Sequence, residues 1–158
     1  MKNQVPILKI TRNHAALAIL LCFWADRALP DSLPNKINPN GIYVVVNSAN
    51  PQRNISQTGL NAIFNMRLRH WNDESPITVY VLQDEDPLHK TFCKQKLHVF
   101  PHQIRKGWNR QVFSGTGQAP LAIETKEDMI KRIRETPGAI GYLSGKDLTA
   151  DVKILDIE

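Results

Sequence analysis

Two cysteines in 158 residues are too few for a disulfide framework, and eight glycines without a repeat exclude a collagen-like chain. With 42% hydrophobic residues and only 22% charged, the chain is not wholly disordered either, and its length suits one domain of ordinary size. Internal repeats and low-complexity runs are lacking. So is a long apolar run: Ala15 to Ala25 reaches about 16 Å as a helix, against a hydrocarbon core of about 30 Å. Signatures of catalysis are missing too. Val112 stands where a nucleophile elbow around Ser114 needs glycine, and Ser114-Gly115-Thr116-Gly117 lacks the Walker lysine and is soon followed by Pro120, so it reads as a turn. His89/Cys93 and His98/His102 have the i,i+4 spacing of paired metal ligands, but Pro101 interrupts the second pair and no third ligand accompanies either. No enzyme, metal or cofactor is expected.

The formal charge of +5 invites a nucleic-acid reading, which its distribution weakens. Lys2, Lys9, Arg12 and Arg27 precede Leu29, opposed only by Asp26, and the remainder carries 16 Lys and Arg against 14 Asp and Glu. Arg105, Lys106 and Arg110 around Trp108 then read as the solvated face of a helix, and no nucleic-acid partner is expected. A basic start followed by the uncharged run Ala15 to Ala25 has the form of a secretory signal, with cutting expected after Ala25 or Ala28. Leu21 before Cys22 disfavours a lipid anchor. The organisation predicted is therefore a signal peptide at 1–28, a Pro- and Asn-rich linker at 29–41 and an exported domain at 42–158, with no stable membrane span once the leader is gone. Cys93 would be the one remaining thiol, buried and inert.

Within the domain, Ile42 to Val46 is a continuous β-branched and aromatic run, the pattern of a strand covered on both faces. Ser56 is a plausible cap for a helix carrying Leu60, Ile63 and Phe64. Ile77 to Leu82 is a second strand, and Pro87 opens a helix that points Leu88, Phe92 and Cys93 inward. A further helix from about His102 to Phe113 has Ile104, Trp108 and Val112 in register. Thr125 with Asp128 caps another carrying Met129, Ile130 and Ile133, stopped by Pro137-Gly138. Ala139 to Leu143 and Val152 to Ile157 complete the strands. Alternation of strands with helices predicts an α/β domain with a mainly parallel sheet flanked by helices.

Thr136-Pro137-Gly138-Ala139-Ile140-Gly141-Tyr142, with Ile63-Phe64, Trp71, Trp108, Phe113 to Gly117 and Pro120 in order, resembles the phosphate-type periplasmic substrate-binding proteins of ABC transporters. The resemblance covers about Ile42 to Leu143 and implies a single binding-protein-like lobe, a short variety of a two-lobed fold. Its Gly-Ala-Ile-Gly-Tyr segment is more a fold marker than a site, since Pro137-Gly138 ends a helix and Gly141 permits close packing.

Ligands in open α/β sheets bind beyond the carboxyl ends of strands. That rule points to Asn47, Ser48 and Asn50 after the first strand, and to Gln83 and Asp84 after the second with His89 in the next helix. Ser114 and Thr116 supply further hydroxyls. The resemblance implies an Arg and a hydroxyl-bearing run at the second turn, whereas this chain has Leu82-Gln83 and then Asp86-Pro87-Leu88. Three consecutive acids and a proline disfavour phosphate there. The sequence thus predicts an exported solute-binding-type module for a small polar ligand or anion, with a degenerate anion site and a protein partner able to supply a second lobe. The alternative is a periplasmic interaction or sensory domain that has lost ligand binding.

Overall fold

Val44, Val45 and Val46 lie in the interior of a six-stranded sheet, as a run without polar interruption requires. A computed structural model describes residues 37–158. The predicted signal peptide at 1–28 lies outside the described residues, as does most of the 29–41 linker. The linker's last residues are tied to the domain: Gly145 and Lys146 donate their amides to the carbonyls of Gly41 and Pro39, and Asn38 N–H donates to the Tyr43 hydroxyl.

The elements, in chain order, are β1 (Ile42–Asn47), β2 (Asn54–Ile55), α1 (Gln57–Phe64), β3 (Thr78–Leu82), α2 (Pro87–Phe92), α3 (Pro101–Phe113), β4 (Leu121–Ile123), α4 (Lys126–Glu135), β5 (Ala139–Ser144) and β6 (Val152–Ile157). A π-helical turn, Cys93–Leu97, extends α2 until His98 adopts the left-handed conformation, and Pro101 then starts α3 afresh. The sheet order is β2-β6-β1-β5-β3-β4. β6 and β5 both run antiparallel to β1, β2 runs with β6, and β3 and β4 run with β5. Five strands therefore point one way and β1 alone runs against them, which makes the sheet mainly parallel.

Caps form where the side chains predict them. The Ser56 hydroxyl accepts from Gly59 N–H, the Asp86 carboxylate from Leu88 and His89 N–H, and the Thr125 hydroxyl from Asp128 N–H. Two short strands, β2 and β4, escape the sequence pattern, being too brief to show an alternation. Val112 is a correction: Ile104 and Trp108 are buried, but Val112 turns to solvent at the end of α3. Leu88 is only partly buried, and His89 beside it takes the inward position.

β5 shows why the Gly-Ala-Ile-Gly-Tyr segment marks the fold. Gly138 has φ +75°, and a Cβ there would meet the Pro76 carbonyl at 2.2 Å. Its own carbonyl accepts from the Trp71 indole at 3.0 Å. Successive strand residues face opposite sides of a sheet. Gly141 faces α4, where a Cβ would crowd Ile133 and Met129. Tyr142 faces the other layer, its ring stacked on Phe92 at 3.9 Å and near Phe64 at 6.3 Å. Helices thus cover both faces, which is why every residue of β5 is buried.

Candidate functional site

Beyond the end of β3 the chain makes a tight turn whose acids are all engaged locally or exposed. Asp84 forms a two-pronged ion pair with Arg105 of α3, at 2.6 Å from Nη2 and 3.0 Å from Nε, and the same guanidinium lies 4.8 Å over the Trp108 ring. These hydrogen bonds hold the Asp84 carboxyl below the usual carboxylate range against the opposing effect of burial. Asp86 is committed to capping α2, and Glu85 is exposed.

His89 is buried beneath this turn. Its Nδ1 lies 2.6 Å from the Tyr142 hydroxyl, which accepts from Leu82 N–H at 2.8 Å. The hydroxyl that accepts the Leu82 amide can donate its own proton to Nδ1, an arrangement that suits a neutral imidazole. Burial holds His89 below its ordinary value, although Asp84 pulls the other way. The Nε2 side faces Cys93 Sγ at 3.5 Å and Asp84 at 3.8 Å. The i,i+4 spacing does bring His89 and Cys93 together, but inside the core, where burial pushes the thiol up to about 12 and keeps it protonated. Cys93 is buried, as expected. His89, named from the sequence as a ligand candidate, lies buried under the turn rather than at its surface.

A groove of about 420 Å³ opens at the carboxyl ends of the three adjacent parallel strands β5, β3 and β4. Leu82, Asp86, Pro87, Leu88 and Thr91 form one wall, Thr125, Lys126 and Glu127 a second, and Ser144, Lys146 and Asp147 a third. Its polar groups are largely spoken for. Lys126 Nζ donates to Asp147 at 2.7 Å, and the Ser144 hydroxyl donates to the other Asp147 oxygen. Burial works against the Asp147 charge, but Lys126 and Ser144 outweigh it and lower its pKa. The Thr91 hydroxyl donates to the Pro87 carbonyl, and the Thr125 hydroxyl caps α4.

The residues predicted as a site are not brought together. Because β1 runs against the other strands, its carboxyl end lies beside the starts of β5 and β6: Val46 pairs with Ile140 and Asn47 with Val152. Asn47, Ser48 and Asn50 therefore sit at the opposite end of the sheet from Gln83, Asp84 and His89. Asn47 is an internal clamp, its amide donating to the carbonyls of Ile133 and Arg134 and its oxygen accepting from Ala49 N–H. Asn50 is buried, its side-chain oxygen accepting from Gln52 N–H. Ser114 and Thr116 lie in an exposed turn after α3. The Thr116 carbonyl accepts from Arg69, ahead of the start of β3, and so this turn too is far from the groove. Gln83 is exposed and Asp84 is held by Arg105, and neither lines the groove.

Seven groove residues, Thr91, Thr125, Lys126, Glu127, Ser144, Lys146 and Asp147, were not anticipated. The rule that would have found them is the one already applied to β1, namely that ligands meet parallel strands at their carboxyl ends. Applied to β5 it leads to Ser144 and Asp147. Thr125 was legible as a helix cap, but its place in the groove depends on β4 pairing beside β3.

Residues 37–153 match the model of a family described as the PBP superfamily domain. None of the curated proteins matches the chain. Among solved structures, the chain is similar to an ABC-type phosphate transport receptor from Vibrio cholerae, with 16% identity, TM-score 0.51, and coverage of 74% of this chain and 46% of that one. It is similar to PstS from Borrelia burgdorferi, with 15% identity, TM-score 0.57, and coverage of 74% and 47%. It is also similar to a high affinity periplasmic phosphate-binding protein, PfluDING, bound with phosphate, with 13% identity, TM-score 0.51, and coverage of 74% and 37%. At these identities the likeness is one of fold, and the chain spans less than half the length of each of the three.

Proposed function

This chain belongs to the PBP superfamily, and we propose that its domain is one lobe of an exported solute-binding module, with its ligand surface in the groove at the carboxyl ends of β3, β4 and β5. The placement of that groove supports the reading, since it lies where open α/β sheets accept ligands and where the first turns of α2 and α4 converge. The module binds rather than catalyses, holding a small polar ligand between this lobe and a second one supplied by a partner or by further chain.

Phosphate is disfavoured as that ligand. One observation carries this: the groove's cation at the head of α4, Lys126, is neutralised by Asp147 at 2.7 Å. Asp86 occupies the amides of Leu88 and His89, Pro87 has no N–H to give, and the groove's three acids, Asp86, Glu127 and Asp147, outnumber Lys126 and Lys146. Losing one charged hydrogen bond weakens binding by about 1.5 to 3 kcal/mol, so two such losses weaken it about a hundredfold or more.

Calorimetry at neutral pH tests the phosphate reading, with a dissociation constant weaker than micromolar expected. A thermal-shift screen against other oxyanions, zwitterions and sugars tests the binding reading itself, because a ligand at 100 times its dissociation constant adds about 2.7 kcal/mol. Flat melting across the whole screen would favour a domain that has lost its ligand. Export is tested by intact mass of the protein from its native envelope, where loss of residues up to Ala25 or Ala28 is expected.

A further inference from the structure

No Asp or Glu occurs between Pro87 and Ile123, a stretch that holds Lys90, Lys94, Lys96, Arg105, Lys106 and Arg110. The near-neutral balance of the domain conceals this, because the acids cluster just before it at Asp84 to Asp86 and just after it at Glu124, Glu127 and Asp128. Arg105 turns back to Asp84, but Lys106 and Arg110 have no acidic partner among the described residues. They lie on α3, whose 13 residues make a rod about 20 Å long.

Helical spacing gives α3 two unlike sides. Ile104 and Trp108 point into the core, and the Trp108 indole donates to the Phe64 carbonyl at 2.7 Å. The opposite stripe carries His102, Lys106, Asn109, Arg110 and Phe113, all exposed. Phe113, at 88% exposure, ends the stripe. Phe100, at 59%, stacks on His102 with ring planes 13° apart and so borders its beginning. Two unpaired cations with an exposed phenylalanine at each end offer both contacts that a lipid headgroup layer accepts, since cations meet phosphates and projecting rings enter the acyl boundary. None of these residues lines the groove.

We propose that the outer face of α3 docks the domain on an anionic phospholipid surface, with Lys106 and Arg110 on headgroup phosphates and Phe100 and Phe113 inserted beside them. Charge complementarity identifies an anionic occupant, and the two projecting rings favour a bilayer over the flat polar surface of an acidic protein. The face is independent of the groove, so docking neither requires nor excludes a bound solute.

The test is co-sedimentation of the full chain with vesicles of phosphatidylcholine mixed with phosphatidylglycerol, compared with phosphatidylcholine alone, at about 0.1 M salt. The N-terminal basic and apolar residues are common to every variant, so the quantity read is each variant's binding relative to the unaltered chain. Lys106→Glu with Arg110→Glu should weaken binding to the anionic vesicles about tenfold or more, and Phe100→Ser with Phe113→Ser should weaken it several-fold. Lys131→Glu with Arg132→Glu on α4 makes the same change in net charge at another exposed place, and should leave binding within about twofold. Circular dichroism confirms that each variant is folded. Equal losses from the α3 and α4 variants, or none from the α3 variants, would overturn the proposal. Retention on an acidic protein without vesicle binding would also overturn it and give the face to a protein partner.

Discussion

The Tyr142 hydroxyl lies 2.6 Å from Nδ1 of His89, with both side chains buried, and the same oxygen accepts the Leu82 amide proton at the end of β3. One phenol thus joins β5, β3 and α2 at the point where the groove begins. Low surrounding polarity strengthens such a network when every member is paired and makes a missing member costly.

Tyr142→Phe keeps the ring stacked on Phe92 and removes only the oxygen. Leu82 N–H and His89 Nδ1 are then orphaned, at about 1 to 3 kcal/mol for each buried group. Urea unfolding should show a lower midpoint with an unchanged slope. A midpoint equal to that of the unaltered chain would mean that water replaces the hydroxyl.

The His89 imidazole makes stability fall in mild acid. Burial holds its native pKa below the ordinary 6.5, so the unfolded chain takes up a proton that the native state refuses. Stability from this group is complete above about pH 6.5 and is lost as pH drops toward the native value, by at most about 1.4 kcal/mol per pH unit. Denaturation midpoints measured from about pH 8 to about pH 5 should show this fall, and His89→Gln should be less stable but lack that part of the slope.

Two glycines should respond oppositely to alanine. At Gly138 the positive φ and the Pro76 carbonyl make Ala destabilising by more than about 1 kcal/mol. Gly107 lies within α3 with open space around its Cβ position, so Ala there should stabilise by up to about 1 kcal/mol. Thermal melts of the two variants settle the sign of each.

Asp147→Asn should release Lys126 into the groove. If the proposed ligand surface is right, phosphate affinity measured by calorimetry rises about tenfold, the worth of one charged hydrogen bond regained. No gain would show that Lys126 does not face the ligand.

Cys93 should be silent to thiol reagents in the folded protein. Its sulfur is buried and its pKa is pushed up to about 12. In a Cys22→Ser background, labelling should be negligible in buffer and complete in denaturant. Labelling in buffer at the rate of an exposed thiol would show that the α2 end opens readily.

Much of this was legible in the chain because it depends on neighbours in sequence. The run Ile42 to Val46 demanded a strand covered on both faces, Ser56, Asp86 and Thr125 stand where helices start, and Pro137-Gly138 stops one, since these are local matters of burial pattern and backbone geometry. The alternation of elements with the Gly-Ala-Ile-Gly-Tyr segment was enough for the fold class. The candidate site was less legible, because it depends on direction. Nothing within Ile42–Asn47 says that β1 runs against the strand beside it, as a strand's pattern of burial is the same read in either sense. That reversal carries Asn47, Ser48 and Asn50 away from the groove and leaves it to Ser144 and Asp147. Likewise, the histidine after Leu88 reads as a polar residue until the Tyr142 hydroxyl, 53 residues on, gives its nitrogen a buried partner. Local chemistry chose the elements, and long-range pairing decided which of their ends share a groove.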